Sequence, residues 1–312
     1  MSHSGKWIEG IAADADVAEA ARIALGDRLA AVAYWLPAAA YSADQDIEHV
    51  HRLRVSTRRA TAAWRLFHNW LPPKRARRVK NWLKEIRDAA GPARDLDVLA
   101  ERIKCELNDH TQPVLEEIAR RREKLQPAIV RVAERARKRG RLARHAGKLL
   151  SGIKSCCNKN NCDECRPFKK WARKRLSELA ADFFEDVPTG DDEPAKLHQF
   201  RIRAKALRYT IEIVAQILGP ELRDEHYPLV EELQERLGRI NDYAAAASQM
   251  EEWAEEGVES MRQPFREMAH QELQRLEAET REFHEWWTPE QIESLRRGLS
   301  SEARQRARTV LG

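Results

Sequence analysis

Displaced by 147 residues, the chain falls back on itself. His51 meets His198, Leu53 meets Phe200, Arg54 meets Arg201, Val55 meets Ile202 and Arg58 meets Lys205. The same displacement brings Leu29 onto Leu176, Leu71 onto Leu218, Pro73 onto Pro220, Glu85 onto Glu232, Gly91 onto Gly238 and Asp95 onto Asp242. One gapless offset serves from about residue 29 to about residue 98, which predicts a duplication and two homologous halves. Residues 1–150 form the first half and residues 168–312 the second. The stretch SGIKSCCNKNNCDECRP at 151–167 joins them, where Gly, Asn and Pro interrupt the periodic pattern.

Each half is expected to be helical. The 13 glycines and 13 prolines sit mostly between periodic segments, and almost no stretch alternates apolar and polar residues as a half-buried strand does. Each half reads as a helix before the histidine, the histidine helix, a helix ending near Gly91 or Gly238, and a further helical hairpin. Short connections between such helices favour antiparallel bundles, so the chain is predicted to be all-α, with two bundles related by an approximate twofold axis.

The histidine helix carries the chemistry. At about 100° per residue, His51, Arg54, Arg58 and Arg65 fall within a sector of roughly 60°. Val50, Leu53, Trp64 and Leu66 supply apolar positions, so one face packs while another is cationic. In the second half His198, Arg201, Lys205 and Arg208 repeat the stripe. Like charges at helical spacing repel by a few tenths of a kcal/mol per pair, so carboxylates, water or an anion must offset them. Solvation alone does not require the same charge in the same register of both halves. PPKRARRVKNWLKEIRD adds Arg77, Lys80, Lys84 and Arg87, opposite the side expected to hold Val79, Leu83 and Ile86. Arginine offers phosphate a planar fork and lysine a compact point charge, so the expected ligand is rich in phosphate.

Charge distribution points the same way. The net charge of +5 is modest, but twelve basic residues lie between Arg120 and Lys148 against Glu123 and Glu134 alone, while the C-terminal region contains runs such as EEWAEE. Nucleic acid is one candidate partner, yet zinc-finger spacing, an aromatic-studded RNA-binding signature and a Gly-rich phosphate loop are all missing. Trp64, Trp70 and Trp82 suit a bundle core at least as well as a stacking platform. A phosphate polymer without bases needs charge and nothing to stack on. His51 with Asp95, and His198 with Asp242, also admit a metal-dependent phosphohydrolase, although arginines one turn beyond each histidine disfavour a divalent cation. A satisfied histidine at a helix interface is the simpler role. Asp95 and Asp242, each shortly after a glycine, are read as caps of the next helix, or as partners of a stripe arginine.

The linker holds Cys156, Cys157, Cys162 and Cys165. Cys162 and Cys165 have the C-x2-C spacing of two tetrahedral thiolate ligands, whereas adjacent Cys156 and Cys157 make an awkward second pair. Structural zinc, a redox or disulfide role, and plain thiols remain open; Cys105 is expected in the core. The N-terminus has no charged leader before an apolar stretch, and no membrane span is expected, so the chain reads as cytoplasmic.

The repeated H-x-x-R-V/I-x-x-R/K pattern, with LRY at 207–209 and the G-x-x-R/N-D element in both halves, resembles the CHAD (conserved histidine α-helical domain) family. The resemblance implies two four-helix bundles with pseudo-twofold symmetry, a basic central surface, and binding of inorganic polyphosphate rather than catalysis, in some members at polyphosphate granules. By motif position it implies ligand roles for His51, Arg54, Arg58 and Arg59, and for His198, Arg201, Lys205 and Arg208. Thr61 stands where Arg208 does, Ala206 stands opposite Arg59, and Glu212 stands opposite Arg65, so the two half-sites differ in charge.

Overall fold

The computed structural model describes residues 5–12, 14–105, 111–154, 167–188, 194–257 and 259–304. The described residues form ten α-helices, with short 3-10 turns at His68–Trp70 and Lys138–Gly140 and a π-helical turn at Leu222–His226, and no strand is present among them; a single β-bridge joins Asp16 to Pro167. The helices are α1 (Val17–Tyr41), α2 (Glu48–Leu66), α3 (Pro73–Lys104), α4 (Gln112–Arg137), α5 (Arg141–Leu150), α6 (Phe168–Glu185), α7 (Pro194–Leu218), α8 (Tyr227–Glu256), α9 (Glu259–Trp286) and α10 (Pro289–Arg304).

Helix α1 shows why composition decides position. It is rich in Ala and Leu, is capped by the Asp16 carboxylate accepting from the Glu19 N–H at 2.7 Å, and has no narrow apolar stripe. A helix apolar on most sides must be covered on most sides. Accordingly α1 packs against α2, α4, α5 and α6. Around it α2 packs on α3 and α3 on α4; in the second half α6 packs on α7, α7 on α8, α8 on α9, and α10 on α6.

Helices from both halves share one hydrophobic core, in which Leu53 and Ala60 of α2 and Phe200 and Leu207 of α7 are fully buried. Phe67 stacks on Trp171 of α6 with centroids 5.4 Å apart. A second, smaller core joins the far ends of α3 and α4 to those of α8 and α9 through Leu99, Val114, Met250 and Phe265. Besides the packing of α1 and Phe67 on α6, the halves meet where α2 crosses α7 and at these tips, and the space between these last two contacts is open.

Several local expectations are corrected. Neither Gly91 nor Gly238 ends a helix: α3 runs unbroken from Pro73 to Lys104 and α8 from Tyr227 to Glu256. Pro92 removes one backbone donor, but Ile86, Ala90, Ala93 and Leu96 continue the buried helical spacing past it, and that packing carries the helix on. Asp95 and Asp242 are consequently mid-helix and cap nothing. Cys105 is exposed rather than in the core, because it lies just beyond the last turn of α3. Trp82 is buried, and Trp64 and Trp70 pack against the core. Cys156, Cys157, Cys162 and Cys165 lie outside the described residues. No helix of the described residues is long and apolar enough to cross a membrane.

Candidate functional site

The open space between the halves is a cleft of about 850 Å3 whose walls come from α2, α3, α4, α7 and α8. Helix α2 faces it because Val50, Leu53, Ala60 and Ala63 recur at three- and four-residue spacing and turn inward, leaving the arginine stripe on the other side. Helix α7 does the same with Phe200, Ala204, Leu207 and Ile211.

Two arginines are held by partners inside the cleft. Arg54 Nη2 lies 3.1 Å from Asp95 Oδ1, and Arg201 Nη1 donates to Asn241 Oδ1 at 3.3 Å. These partners come from the paired dipeptides Arg94-Asp95 and Asn241-Asp242. Burial lowers the pKa of Arg54, opposed by Asp95, and burial lowers that of Arg201, opposed by Asp242. The Arg201 Nε–H is buried and finds no acceptor among the described residues. Asp95, although largely exposed, has its pKa raised, first by the partial desolvation of its place in the cleft and also by Asp242, against the pull of Arg54. Gly91 makes the arrangement possible: a Cβ there would stand 3.0 Å from Arg54 Nη1.

Where α2 crosses α7, Arg58 and Lys205 have no direct carboxylate partner among the described residues, although Asp242 acts on Lys205 from a distance. Arg58 lines both the large cleft and a second one of about 350 Å3, whose walls include Arg65, Arg87, Arg175 and Lys205. Neither Arg58 nor Lys205 has an ion-pair partner among the described residues. Burial, reinforced by Arg201 and Arg58, pulls the pKa of Lys205 down to about 7. Two cations that occupy matching positions of the 147-residue displacement thus share one poorly solvated spot.

The remaining sequence candidates fall in three places. His198 lines the large cleft with Nδ1 3.3 Å from Asn241 Oδ1. His51 is half-buried, lines neither cleft, and has its pKa lowered by burial and then by Arg94, with Glu48 opposing. Arg59 and Arg208 turn away from both clefts toward the buried carboxylate of Glu212. Arg59 Nε is 2.7 Å from it, and Arg208 Nε is 3.7 Å from it and donates to the Tyr227 hydroxyl at 3.1 Å. Arg28 Nη2 lies 3.7 Å from the same carboxylate, and Tyr227 donates to it at 2.8 Å. Of the four α3 candidates only Arg87 joins a cleft between the halves. Arg77 and Lys80 border a small pocket with Trp64 and His68, Lys80 over the Trp64 ring at 5.1 Å, and Lys84 is exposed. The buried face opposite, with Val79, Leu83 and Ile86, is as expected.

Sequence reasoning passed over other lining cations: Arg102, Arg120, Arg121 and Lys124 reach the large cleft, and Arg175 the smaller one. The basic run from Arg120 signalled three of them; nothing marked Arg102 or Arg175. Arg102 pairs with buried Glu272 at 2.6 Å and Arg121 with Glu117 at 2.7 Å, so this end of the cleft is largely neutralised. Among the described residues no group of three His, Cys, Asp or Glu side chains is placed to hold a metal ion.

The family model of the CHAD domain matches residues 23–251. The chain belongs to the CHAD family. Polyphosphate binding is a known property of CHAD domains. The fold resembles the crystal structure of the CHAD domain from the plant Ricinus communis, with a TM-score of 0.71 and 21% identity over 95% of this chain and 96% of that one. It also resembles PptA from Streptomyces chartreusis, with a TM-score of 0.59 and 17% identity over 88% of this chain and 99% of that one. At these identities the two structures speak for the CHAD fold alone. A comparison with curated proteins found no match.

Proposed function

We propose that this CHAD protein binds inorganic polyphosphate, without turnover, in the groove formed by the two clefts that meet at Arg58. The observation that carries the proposal is the uncompensated pair Arg58 and Lys205 at the α2–α7 crossing. Cations held close together in a half-dry wall gain most from a ligand that brings several negative charges at once. Arg54, Arg201 and His198 would then take the phosphates that enter the large cleft, with Asp95 and Asn241 orienting the guanidinium groups beforehand. Arg59 and Arg208 act differently: Arg59, bonded to Glu212, and Arg208, bonded to Tyr227, Gln234 and Glu231, hold α2, α7 and α8 in register and position the stripe. His51, Arg77, Lys80 and Lys84 are left outside the groove.

The domain organisation belongs to the same proposal. Residues 1–150 and 168–312 are taken as duplicated halves, each a four-helix bundle, because the 147-residue displacement also carries Gln112, the start of α4, onto Glu259, the start of α9. The halves are not copies in detail, since α1 is closed by both α4 and α5 whereas α6 is closed by α10. Structural zinc at Cys156, Cys157, Cys162 and Cys165 stays a proposal, tested by metal analysis of the purified protein. A place at polyphosphate granules in the cytoplasm follows from the same ligand and is tested by imaging a fluorescent fusion.

Competition binding near physiological salt tests the central claim. Labelled long-chain polyphosphate is displaced by unlabelled polyphosphate or by RNA of equal phosphate count. Arg58→Ala/Lys205→Ala is expected to weaken binding by about a hundredfold, from the loss of two charge-assisted contacts, and RNA to compete poorly. Unchanged binding by that variant, equal competition by RNA, or release of orthophosphate on incubation would each overturn it.

A further inference from the structure

The basic run at 135–148 is not absorbed by the groove. Its last part forms α5, a helix of ten residues packed on α3, α1 and α4. Leu142 and Leu149 are buried, which turns Arg141, Arg144, His145 and Lys148 to the other side, within a sector of about 100°. Arg78 comes from α3 into the same neighbourhood. None of Arg78, Arg141, Arg144 and Lys148 has an ion-pair partner among the described residues. Glu85 of α3 is engaged by Arg135 at 3.1 Å.

His145 sits at the centre of these charges and its protonation is fixed by geometry. Trp82 Nε1 lies 2.9 Å from His145 Nδ1. An indole N–H only donates, so Nδ1 accepts and the ring proton is on Nε2, available to a ligand. Burial, then Arg78, Arg144, Lys148 and Arg141, lower the His145 pKa and keep the ring neutral. Arg75 Nη1, donating to the Lys148 carbonyl at 2.6 Å, holds the last turn of α5 against α3.

We propose that α5 and the adjoining face of α3 form a second binding site for inorganic polyphosphate, outside the groove and centred on His145. The identity of the ligand rests on the function proposed above; the existence of the site rests on this cluster alone. At the 147-residue displacement Arg141, Arg144, His145 and Lys148 become Thr288, Gln291, Ile292 and Leu295, and Arg78 becomes Glu225. The cluster is therefore peculiar to the first half and is no part of the repeated stripe. No large hydrophobic side chain is exposed on this face, and Trp82 is buried, so neither membrane insertion nor base stacking is served. Arg78, Arg144, Lys148 and Arg141 all act on the charge of His145, so the cations gather around one side chain. A polymer whose phosphoryl groups are joined by single oxygens brings the densest negative charge to such a cluster. Two separate sites let one protein hold two chains, or one long chain at two points.

Calorimetric titration with short polyphosphate, followed by light scattering with long chains, tests the site in the intact protein. Wild type is expected to show two binding events and to assemble with long chains. Arg144→Gln/Lys148→Gln is expected to keep the groove event and lose the assemblies. The slope of log K against log salt for the second event should drop by about 1.4 on losing two contacts. Arg58→Ala/Lys205→Ala should do the reverse and lose only the groove event. Loss of the groove event in neither variant would overturn the groove and leave the second site standing. A single event in wild type, assemblies that survive Arg144→Gln/Lys148→Gln, or equal affinity of this face for duplex DNA would overturn the second site.

Discussion

Lys205 concentrates the chemistry of the groove in one side chain. Its folded pKa of about 7 lies below the ordinary lysine value of 10.5, because burial and the neighbouring Arg201, Arg58 and Arg54 oppose its charge, against the pull of Asp242. Charging it therefore costs the folded state. That cost is fully present below about pH 7 and fades as pH rises toward the unfolded value, so this group makes the unliganded protein more stable as pH increases across that window. Denaturant midpoints between neutral and alkaline pH should show the rise in wild type and lose it in Lys205→Met. Polyphosphate binding has the opposite sign, since the ligand needs the ammonium: affinity is expected to fall as pH passes upward through about 7, and Lys205→Arg should flatten that step. Gly91 is the companion case. Replacing it with Ala raises helix propensity by about 1 kcal/mol, but the new Cβ stands 3.0 Å from Arg54 Nη1, so the guanidinium must give by a few tenths of an ångström and loosens from Asp95. Gly91→Ala should thus melt no lower than wild type while binding polyphosphate more weakly, a split that thermal denaturation and the binding titration resolve together.

Among the elements, α2 and α7 owe their mutual placement to charge as well as to apolar packing. Glu212 is fully buried on α7 and is approached by Arg28 of α1, Arg59 of α2, Arg208 of its own helix and the Tyr227 hydroxyl of α8. The N-terminal segment closes the same network, with the Ile8 N–H donating to the Glu212 carbonyl at 3.1 Å and Lys6 Nζ 2.8 Å from Glu231. Removing the central carboxylate leaves buried guanidinium groups without their counter-charge. Glu212→Gln should lower unfolding free energy by about 3 kcal/mol, measured by urea denaturation. The loss of stability should be larger than for Asp95→Asn, whose carboxylate faces open solvent in the cleft with 70% of its side chain exposed. The element scale also explains the misread glycines. Gly91-Pro92 has the local chemistry of a helix end, yet Ile86, Ala90, Ala93 and Leu96 keep one face buried through it. Burial along a long helix outweighed one missing donor and one flexible residue.

For the whole molecule the groove is a consequence of two separate contacts between the halves, the α2–α7 crossing and the apolar tips of α3, α4, α8 and α9. With Arg54, Arg58, Arg201 and Lys205 facing the groove, the slope of log K against log salt is expected near −2.8, taking the coefficient of a single-stranded polyanion. A salt titration of polyphosphate binding measures it, and a slope near zero would mean that these cations do not release counterions to the ligand. Residues 23–251, the extent of the CHAD match, include every one of these cations as well as α5.

The sequence by itself determined the helical class, because apolar spacing of three and four residues needs no tertiary knowledge to be read. Its repeated histidine and arginine pattern was also enough to mark the CHAD family. That Arg58 and Lys205 share one environment was foreshadowed by their matching register, but register says only that two residues are equivalent. Whether they touch the same space depends on how α2 meets α7. Tertiary structure alone decided that Arg59, beside one groove cation in sequence, and Arg208, about one helical turn beyond another, turn away into the buried network around Glu212. It also decided that Asp95 orients an arginine instead of capping a helix, and that Arg102 and Arg175 arrive from distant helices. The physical reason is the same in each case: helical periodicity fixes the angle at which a side chain leaves its own axis, whereas the partner it meets is set by the packing of other axes around it.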